Sequence, residues 1–380
     1  MVVKEENYKK AARVTGKNVD PDDILLNNLV SIFIDSVKRG EKEKKIVESF
    51  IARISALKTT TKHVFNLFSK LQHLPLYQCL LGFAFEYGIG TKVNLYLAFI
   101  CYKTSSENFN SLGQVYLAKC YKHGKGTEKN NIAAFWEYLK SAIGGCSEGQ
   151  YGVGRCHENG TPIRASHVVS FMQQQNIRNT GLNAYELSCP GVMSLYQSEA
   201  NTKNQRAFFW FEKAASNGNI QGQYVFAHCY EKGKGIAKNQ ELAFHWYKES
   251  AQSGHQMAQS KTGFCYFDGN GVTRNTFIAF GWFYKCARNK LKCAERHWVA
   301  RCFRNARHTR KDERKAFLLY QMELIYDRNP RVNYDLASCF KNGWGTPKDV
   351  HQAIKLHRKA LRNELKSRKK LFKMFKIDFY

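Results

Sequence analysis

The short motifs of this sequence that combine reactive or ion-binding residues lack the spacing that catalysis requires. The run GKGT at 124–127 resembles part of a phosphate-binding loop, but the G-x-x-x-x-G-K-[ST] spacing is absent and no strand precedes it. The adjacent pairs Cys156-His157 and His228-Cys229 point about 100° apart on a helix, so each would chelate a metal poorly. The sequence has no H-E-x-x-H and no G-x-S-x-G motif. We therefore predict a protein that is not an enzyme and that holds no cofactor or metal.

Basic residues in the last part of the chain indicate a binding function instead. The chain has 59 lysines and arginines against 31 aspartates and glutamates, a formal net charge of +28. Residues 281–380 contain 26 of these basic residues and 9 of the acidic ones. A field of this sign favours acidic partners, which are nucleic acid, anionic lipid headgroups or an acidic protein surface.

Two basic clusters are the candidate sites for an acidic partner. One surrounds a turn, and the other lies near the C-terminus, where Phe372 and Phe375 alternate with lysines. Arginine suits this role because its planar guanidinium binds phosphate or carboxylate with two hydrogen bonds. Two plainer interpretations stay open: the first cluster is a solvated turn, and the second is a helix that covers the last repeat. The candidate residues are Arg304, Arg307, Arg310, Lys311, Lys369, Lys370 and Lys373.

A regular repeat organises most of the chain. One position, here called the register position, recurs at steps of 36 or 37 residues as Ala84, Cys120, Cys156, Met193, Cys229, Cys265, Cys302 and Cys339. Apolar residues around it follow the i, i+3, i+4 spacing of a helix that buries one face. A glycine-rich turn and a second apolar helix follow in most repeats. One such helix pair cannot bury its own apolar faces, so the pattern predicts stacked copies.

Small residues hold fixed places within each repeat. Alanine stands 14 residues after the register position in seven repeats, which predicts a close contact between the two helices. These alanines are Ala98, Ala134, Ala207, Ala243, Ala279, Ala316 and Ala353. The turn glycines are Gly88, Gly90, Gly124, Gly126, Gly233, Gly235, Gly269, Gly271, Gly343 and Gly345.

The G-x-G turn followed by A-F-x-W and K-A-A sequences resembles the Sel1-like repeat, a relative of the tetratricopeptide repeat. The resemblance implies an all-α fold, an α/α solenoid of about eight Sel1-like helix-turn-helix repeats with a helical N-terminal region. For function it implies an interaction scaffold, often in signalling or protein quality control. One branch of this family pairs two cysteines within each repeat. This sequence lacks the second regular cysteine, so the resemblance does not extend to that secreted branch.

The sequence divides into three segments. Residues 1–73 form a helical N-terminal region or cap, 74–365 the repeat array, and 366–380 a basic aromatic tail. Asp20 and Pro21 are typical of a helix start and begin the first of three amphipathic helices. Pro190 falls inside the expected first helix of the fourth repeat, where it removes a hydrogen bond. We therefore expect an irregularity near 175–200.

The remaining expectations concern location, thiols and partners. No apolar run is long enough for a membrane span, and the first residues lack the apolar core of a secretory signal, so we predict a cytoplasmic protein. The six register cysteines are expected to be reduced, buried and unreactive. The predicted function is a scaffold or adaptor for protein partners, whose identity the sequence does not give. The alternative is anion binding, to nucleic acid or an acidic lipid surface, by the basic C-terminal third.

Overall fold

The computed structural model describes residues 20–161, 163–178, 191–198, 202–288, 296–326 and 330–375. Within these ranges all regular secondary structure is helical, which confirms the predicted all-α class. The chain forms two compact units, Met1–Asn239 and Gln240–Tyr380. None of the described helices combines the length and the apolarity needed to cross a membrane.

The helices follow one another in the order that the repeats predict. Three precede the array: α1 (Pro21–Lys38), α2 (Glu43–Ala56) and α3 (Thr61–Lys70). The rest of the first unit contains α4 (Pro75–Tyr87), α5 (Leu95–Glu107), α6 (Ser111–His123), α7 (Asn131–Ile143), α8 (Ser147–Glu158), α9 (Ala165–Arg178), α10 (Val192–Gln197), α11 (Lys203–Ser216) and α12 (Ile220–Lys232). The second unit contains α13 (Gln240–Gln252), α14 (Gln256–Asp268), α15 (Thr276–Ala287), α16 (Arg296–Arg304), α17 (Glu313–Tyr326), α18 (Pro330–Asn342) and α19 (Val350–Phe375).

Asparagine side chains begin several of the repeat helices. The side-chain oxygen of Asn94 accepts a hydrogen bond from the Leu97 amide at 3.0 Å. Asn130 and Asn219 accept in the same way at the starts of α7 and α12. These bonds satisfy amide groups that the first turn of a helix leaves without a partner. The caps therefore fix where each helix begins.

The glycine pair ends a first helix and places the turn against the preceding repeat. Gly124 ends α6 in the left-handed conformation, with φ of 70°. Gly126 has φ of 68°, and a Cβ there would lie 2.1 Å from the carbonyl oxygen of Leu95 at the start of α5. No side chain fits at that distance, so this contact between repeats requires glycine.

The turn of the seventh repeat keeps the left-handed conformation without glycine. Ala306 and His308 stand in the two glycine places with φ of 53° and 66°. The His308 ring stacks on Trp298, with 6.1 Å between the ring centroids. Left-handed backbone costs a residue with a Cβ about 1–2 kcal/mol. The turn is therefore strained at two positions, one of which gains a ring contact.

The third and fourth repeats depart from the regular pairing. In the first repeat, Gly82 of α4 faces Tyr102 of α5, and a Cβ on that glycine would lie 2.8 Å from the ring. The equivalent Gly154 of α8 faces Phe211 of α11, at 2.6 Å from such a Cβ. Helix α8 therefore pairs with the second helix of the fourth repeat. Helices α9 and α10, together called the excursion below, lie outside this pairing. Pro190 falls outside the described residues.

The excursion packs onto other helices of the first unit through aromatic side chains. Phe171 of α9 lies 5.1 Å from the Trp136 ring of α7, measured between centroids. Tyr196 of α10 is buried, and its hydroxyl accepts a hydrogen bond from Trp210 Nε1 at 3.2 Å. The same hydroxyl forms a hydrogen bond with His157 Nε2, with 2.5 Å between the oxygen and the nitrogen. The excursion is thereby tied to both α8 and α11.

The helices that precede the repeats lie along the first helices of several repeats. Phe33 of α1 is fully buried, 5.1 Å from the ring of Phe83 in α4 and 5.5 Å from that of Tyr116 in α6. The turn after α1 reaches further along the unit. There the carbonyl oxygen of Arg39 accepts a hydrogen bond from the Ile220 amide at 2.9 Å. We call α1 and α2 the N-terminal hairpin. The surface of the repeats beneath it, which includes Phe83 of α4 and Tyr116 of α6, is called the first-helix face.

The second unit has a core of its own, built from α15 to α18. Phe283, Val299, Tyr320 and Leu336 are among its buried residues. Arg296 is also fully buried. Its Nε donates to the carbonyl oxygen of Ala287 at 3.1 Å, and its Nη1 lies 4.0 Å from Glu323. A buried arginine needs such partners, since its charge cannot be left unpaired in a core.

The small residues of the repeat lie inside. The seven alanines that stand 14 residues after the register position are each at most 3% exposed. Five of the six register cysteines are buried, and Cys265 is half-buried. Burial raises the pKa of Cys120 and Cys229 to about 12. These thiols therefore carry little thiolate at neutral pH.

Candidate functional site

A pocket of about 280 Å³ opens on the first-helix face of the first unit. Its walls come from α4, α6, α7 and α8 of the repeats and from α2 of the N-terminal hairpin. The side chains that line it are mostly tyrosines, lysines and glutamates. A pocket of mixed charge can bind a small polar group, depending on which charges already have partners inside the protein.

Lys119 is the central cation of the pocket. Its Nζ lies 2.8 Å from Glu43 of the hairpin and 3.1 Å from Glu148 of α8. It also lies over the Tyr116 ring, 5.1 Å from the centroid. Burial disfavours the charged amine, but the neighbouring carboxylates outweigh it and raise the pKa of Lys119 well above its ordinary value. Lys119 therefore joins the hairpin to the array and is not available to a ligand.

A second pair is neutralised at the other side of the pocket. Lys125 Nζ lies 2.5 Å from a carboxylate oxygen of Glu86. The other oxygen of Glu86 accepts a hydrogen bond from the Tyr102 hydroxyl at 2.8 Å. The three glutamates that line the pocket, Glu43, Glu86 and Glu148, are thus all paired with lysines.

Two hydrogen-bond donors in the same pocket have no partner among the described residues. Tyr116 is 1% exposed, and its buried hydroxyl makes no hydrogen bond. Lys122 is half-buried and takes part in no hydrogen bond or ion pair among the residues that the structure describes. Burial lowers the pKa of Lys122, and the charges of Arg155 and Lys119 lower it further. The pocket thus has two donors without an acceptor among the described residues, whereas Lys119, Lys122, Lys125 and Arg155 are matched in number by Glu43, Glu86, Glu148 and Glu158.

The structure separates the predicted basic cluster around the seventh turn. Arg304 ends α16 and turns toward α18, where its Nη1 lies 2.7 Å from Asp335 and its guanidinium lies over the Trp344 ring. His297 Nε2 shares this carboxylate. Burial opposes the charged forms here, but the hydrogen bonds from His297 and Arg304 lower the pKa of Asp335 overall. Arg304 is accordingly part of a structural ion-pair network.

The other predicted residues differ in their surroundings. Arg307 and Arg310 are exposed and form no ion pair with any described residue. Lys311 is exposed and lies 2.8 Å from Glu313. Lys369, Lys370 and Lys373 belong to α19, but their side chains lie outside the described ones. The two predicted clusters are therefore not brought together by any contact that the structure describes.

Reading the sequence did not identify the pocket residues. Lys119 stands one residue before the register position, where the first repeat has Phe83 and the sixth has Phe264. The sequence feature that could have indicated the pocket was a lysine in this place, followed by Lys122 one helical turn later. It could not be interpreted without knowing that Glu43 and Glu148 lie opposite.

No group of three or more His, Cys, Asp and Glu side chains is placed to hold a metal ion in the part of the chain that the structure describes. The adjacent cysteine–histidine pairs noted in the sequence do not converge there on further ligands. In Cys156-His157, for example, the histidine is engaged by the Tyr196 hydroxyl.

Comparison with known proteins gives a consistent picture of the repeats. The Sel1 repeat family model matches residues 75–108, 111–146, 147–171, 185–219, 220–255, 256–290, 297–322 and 330–364. These eight segments cover more than half of the chain and follow the predicted register, so the suspected resemblance is confirmed. No match was found among curated proteins.

Three solved structures are similar to this chain. A Sel1 repeat protein from Oxalobacter formigenes is 21% identical with a TM-score of 0.51, over 74% of this chain and 96% of that one. A protective antigen of uropathogenic Escherichia coli strains with an SLR fold is 21% identical, with a TM-score of 0.46 over 79% and 64%. A Sel1 repeat protein described for Klebsiella pneumoniae is 16% identical, with a TM-score of 0.31 over 59% and 90%. At these identities the Oxalobacter structure supports the fold alone.

Proposed function

Because the chain belongs to the Sel1 repeat family, whose members generally mediate protein–protein interactions and are generally non-enzymatic, we propose that it is a scaffold or adaptor for protein partners. It would act in signalling or in the assembly of complexes. The observation that carries the proposal is the N-terminal hairpin, an amphipathic helix pair that the first-helix face holds within the same chain.

The contacts of the hairpin indicate what kind of helix this face accepts. Phe33 and Phe50 insert against the Phe83 ring, at centroid distances of 5.1 and 5.7 Å. Glu43 adds an ion pair with Lys119 at the edge. Aromatic anchors with acidic residues beside them are a usual means of binding an amphipathic helix in a groove.

The corresponding face of the second unit offers similar residues to solvent. Phe264 of α14 stands one residue before the register position, as Phe83 does in α4, and is 44% exposed. Met257, two turns earlier in the same helix, is 55% exposed. Arg301 and Lys341, on α16 and α18, are exposed as well. We call Met257, Phe264, Arg301 and Lys341 the second-unit face.

The occupant proposed for the second-unit face is an amphipathic helix of a partner protein with acidic residues beside its apolar stripe. The apolar side chains Met257 and Phe264 suit the stripe, since burying large apolar groups drives such association. The charges of Arg301 and Lys341 suit the acidic flank and would speed association at low salt.

Site-specific photocrosslinking tests this function. A photoreactive amino acid in place of Phe264 should capture a discrete protein in extract from the native cell, whereas one in place of Ile354 should not. Ile354 is a matched control because it is a similarly exposed apolar residue of the second unit, on α19. The captured protein is then produced and its affinity measured with the full chain. Phe264→Ala should weaken it by about tenfold or more.

Two results would contradict the scaffold proposal. One is equal crosslinking from positions 264 and 354, which would indicate non-specific contact. The other is an affinity for the purified partner that Phe264→Ala and Arg301→Glu leave unchanged. Circular dichroism of each variant controls for loss of folding.

A second candidate function, binding of an anionic surface, is supported by Arg307 and Arg310, which are exposed at one turn without carboxylate partners among the described residues. Changing Arg307, Arg310 and Lys311 to glutamate should then weaken binding to RNA or to anionic liposomes. The loss should be greatest at low salt, because phosphate contacts release counterions. Unchanged binding at two salt concentrations would leave these charges as a solvated turn. A cytoplasmic location accords with both functions and is part of the proposal.

A further inference from the structure

The last helix of the second unit, α19, has an exposed apolar side in addition to the side by which it packs. It packs on α18, and Ala353 and Ala360 are buried on that side. Val350, Ile354 and Leu361 are 62%, 46% and 51% exposed. These three residues are four and seven residues apart and so lie on one side of the helix. We call them the α19 stripe.

Positive charge borders the α19 stripe. Arg358, for example, stands one helical turn after Ile354. From Val350 to Phe375, α19 contains nine lysines and arginines against one glutamate. Four of the basic residues have described side chains, and these are exposed and form no ion pair with any described residue: Lys355, Arg358, Lys359 and Arg362. The stripe therefore lies beside charges that no carboxylate of the described protein neutralises.

We propose that α19 binds the surface of an anionic lipid bilayer. The stripe enters the boundary between headgroups and acyl chains, and the basic residues contact the anionic headgroups. A helix with apolar and basic residues divided in this way lies in the plane of the interface. No described helix, α19 included, combines the length and apolarity of a membrane span. This site goes beyond the functions proposed above, whose sites are the second-unit face and the turn of the seventh repeat.

The composition of α19 favours lipid over the other partners that positive charge attracts. Nucleic acid would use the basic residues, but its phosphate backbone gives an aliphatic stripe nothing to pack against. Six of the nine basic residues are lysines, which are depleted in protein–protein interfaces, whereas each lysine near an anionic bilayer adds attraction. A second copy of this chain would bring two strongly basic helices together, and their charges repel.

The spacing of the stripe continues in the sequence of the same helix. The backbone of α19 is helical to Phe375. Leu365 and Phe372 stand four and eleven residues after Leu361, so their positions fall on the side of the helix that the stripe occupies. The cluster Lys369, Lys370 and Lys373, predicted from the sequence to meet an acidic partner, belongs to this part of α19. The proposal therefore joins this cluster and the stripe in one lipid-binding helix.

Flotation of the full chain with lipid vesicles tests the proposal. The protein should rise with vesicles of phosphatidylcholine that contain about one-third phosphatidylserine, and should not rise with phosphatidylcholine alone. Combining Ile354→Gln with Leu361→Gln should weaken binding by about tenfold or more, because it removes apolar surface and leaves the charge unchanged. Leu318→Gln is the control, since this residue of α17 is 49% exposed, and it should bind as the native chain does.

A second pair of variants separates the charge of α19 from the charge of the whole chain. Glutamine in place of all four exposed basic residues named above should weaken binding by about tenfold or more and reduce its dependence on salt. The matched control removes the same charge from the first unit by changing four exposed lysines to glutamine, and it should lose much less affinity. These lysines are Lys203, Lys232, Lys234 and Lys238. Circular dichroism of each variant checks that the helices are kept.

A photoreactive phosphatidylserine locates the contact. Its adducts, mapped by mass spectrometry, should fall within residues 350–375. The proposal is overturned if the chain does not float with anionic vesicles, if the double glutamine variant floats like the native chain, or if the two fourfold variants bind equally. Tighter binding of RNA than of vesicles by α19 would assign the site to nucleic acid and overturn it as well.

The scaffold function is tested separately by the crosslinking at Phe264. A lipid contact at Ile354 yields no discrete crosslinked protein, so position 354 keeps its role as the control there. Capture of a discrete protein from position 354 would instead assign the stripe to a protein partner and overturn the lipid proposal. Loss of flotation with crosslinking at Phe264 intact would overturn the lipid proposal alone.

Discussion

Phe211 in α11 packs against Gly154 in α8, and this contact joins the first helix of the third repeat to the second helix of the fourth. Phe211 follows Gly154 by 57 residues, whereas Tyr102 follows Gly82 by 20 in the regular first repeat. The difference of 37 residues is the length of one repeat. Helix α11 therefore packs on α8 as the second helix of a regular repeat packs on its first helix. Helix α9, which follows α8 in the chain, does not hold this place.

Adding a methyl group at Gly154 should destabilise the first unit. The Cβ of Gly154→Ala would lie 2.6 Å from the Phe211 ring, and such overpacking costs about 1–3 kcal/mol, partly offset by the better helix propensity of alanine. Urea unfolding measures the change. Gly281→Ala is the control, because no atom lies within 4 Å of a Cβ there and the helix should gain stability. Combining Gly154→Ala with Phe211→Leu should recover part of the loss; additive losses would argue against the α8–α11 pairing.

Acidification should weaken the attachment of the excursion through His157. Burial lowers the pKa of His157 to about 4, and the nearby Arg206 charge adds to this effect. The unfolded chain binds a proton near pH 6.5 and the folded one does not until about pH 4. The contribution of neutral His157 to the free energy of unfolding is therefore complete above pH 6.5 and is lost as the pH falls toward 4. This loss is on the order of 2–3 kcal/mol.

The pH dependence has a simple control. Stability is measured by urea unfolding between pH 7 and pH 4.5 for the native chain and for His157→Gln, whose amide can still form a hydrogen bond with the Tyr196 hydroxyl. The variant should be less dependent on pH over this interval. Equal slopes for the two proteins would mean that His157 is not the group responsible.

Removing the aromatic anchor of the hairpin should cost much more than removing an exposed side chain of the same helix. Phe33 is fully buried against Phe50, Phe83 and Tyr116, so Phe33→Ala should destabilise the first unit by about 3–5 kcal/mol. Ile24→Ala, on the same helix but 45% exposed, should change stability by less than about 1 kcal/mol. Thermal unfolding compares them. Equal effects would indicate that the hairpin is not anchored on the first-helix face.

Restoring glycine to the turn of the seventh repeat should stabilise the second unit. Ala306 has φ of 53°, and Ala306→Gly relieves this strain at the cost of a more flexible unfolded chain, with an expected net gain of about 0.5–1 kcal/mol. The same substitution in a helix, Ala133→Gly in α7, should have the opposite sign. Calorimetric melting temperatures decide between these signs. A loss of stability at Ala306 would mean that its side chain makes contacts that outweigh the strain.

Arg304 shows the limit of reading a charge from the sequence. It stands in a run of basic residues whose predicted role was to meet an acidic partner, yet its partner is Asp335 within the same unit. The two are 31 residues apart, nearly one repeat, so they occupy neighbouring first helices. Arg307, three residues further on, is exposed as expected. A shift of three residues along the chain therefore decides whether an arginine pairs with a carboxylate of the next repeat, as Arg304 does, or stands exposed between two helices, as Arg307 does.

The sequence by itself determined the repeat and most of its helices, because these depend on local features. Apolar residues three and four apart define the helices, and asparagine caps and left-handed glycines such as Gly124 define their ends. Each signal lies within a few residues of the structure that it specifies. The family resemblance could be stated for the same reason.

Only the tertiary structure decided which helices meet. The third and fourth repeats each match the repeat pattern, so no local signal reveals that Gly154 pairs with Phe211. The hairpin, the Lys119–Glu43 ion pair and the pocket on the first-helix face likewise join residues far apart in the chain. Such contacts are selected by shape and by charge at a distance, because burial of apolar surface is non-directional and leaves several pairings open until the whole unit is packed.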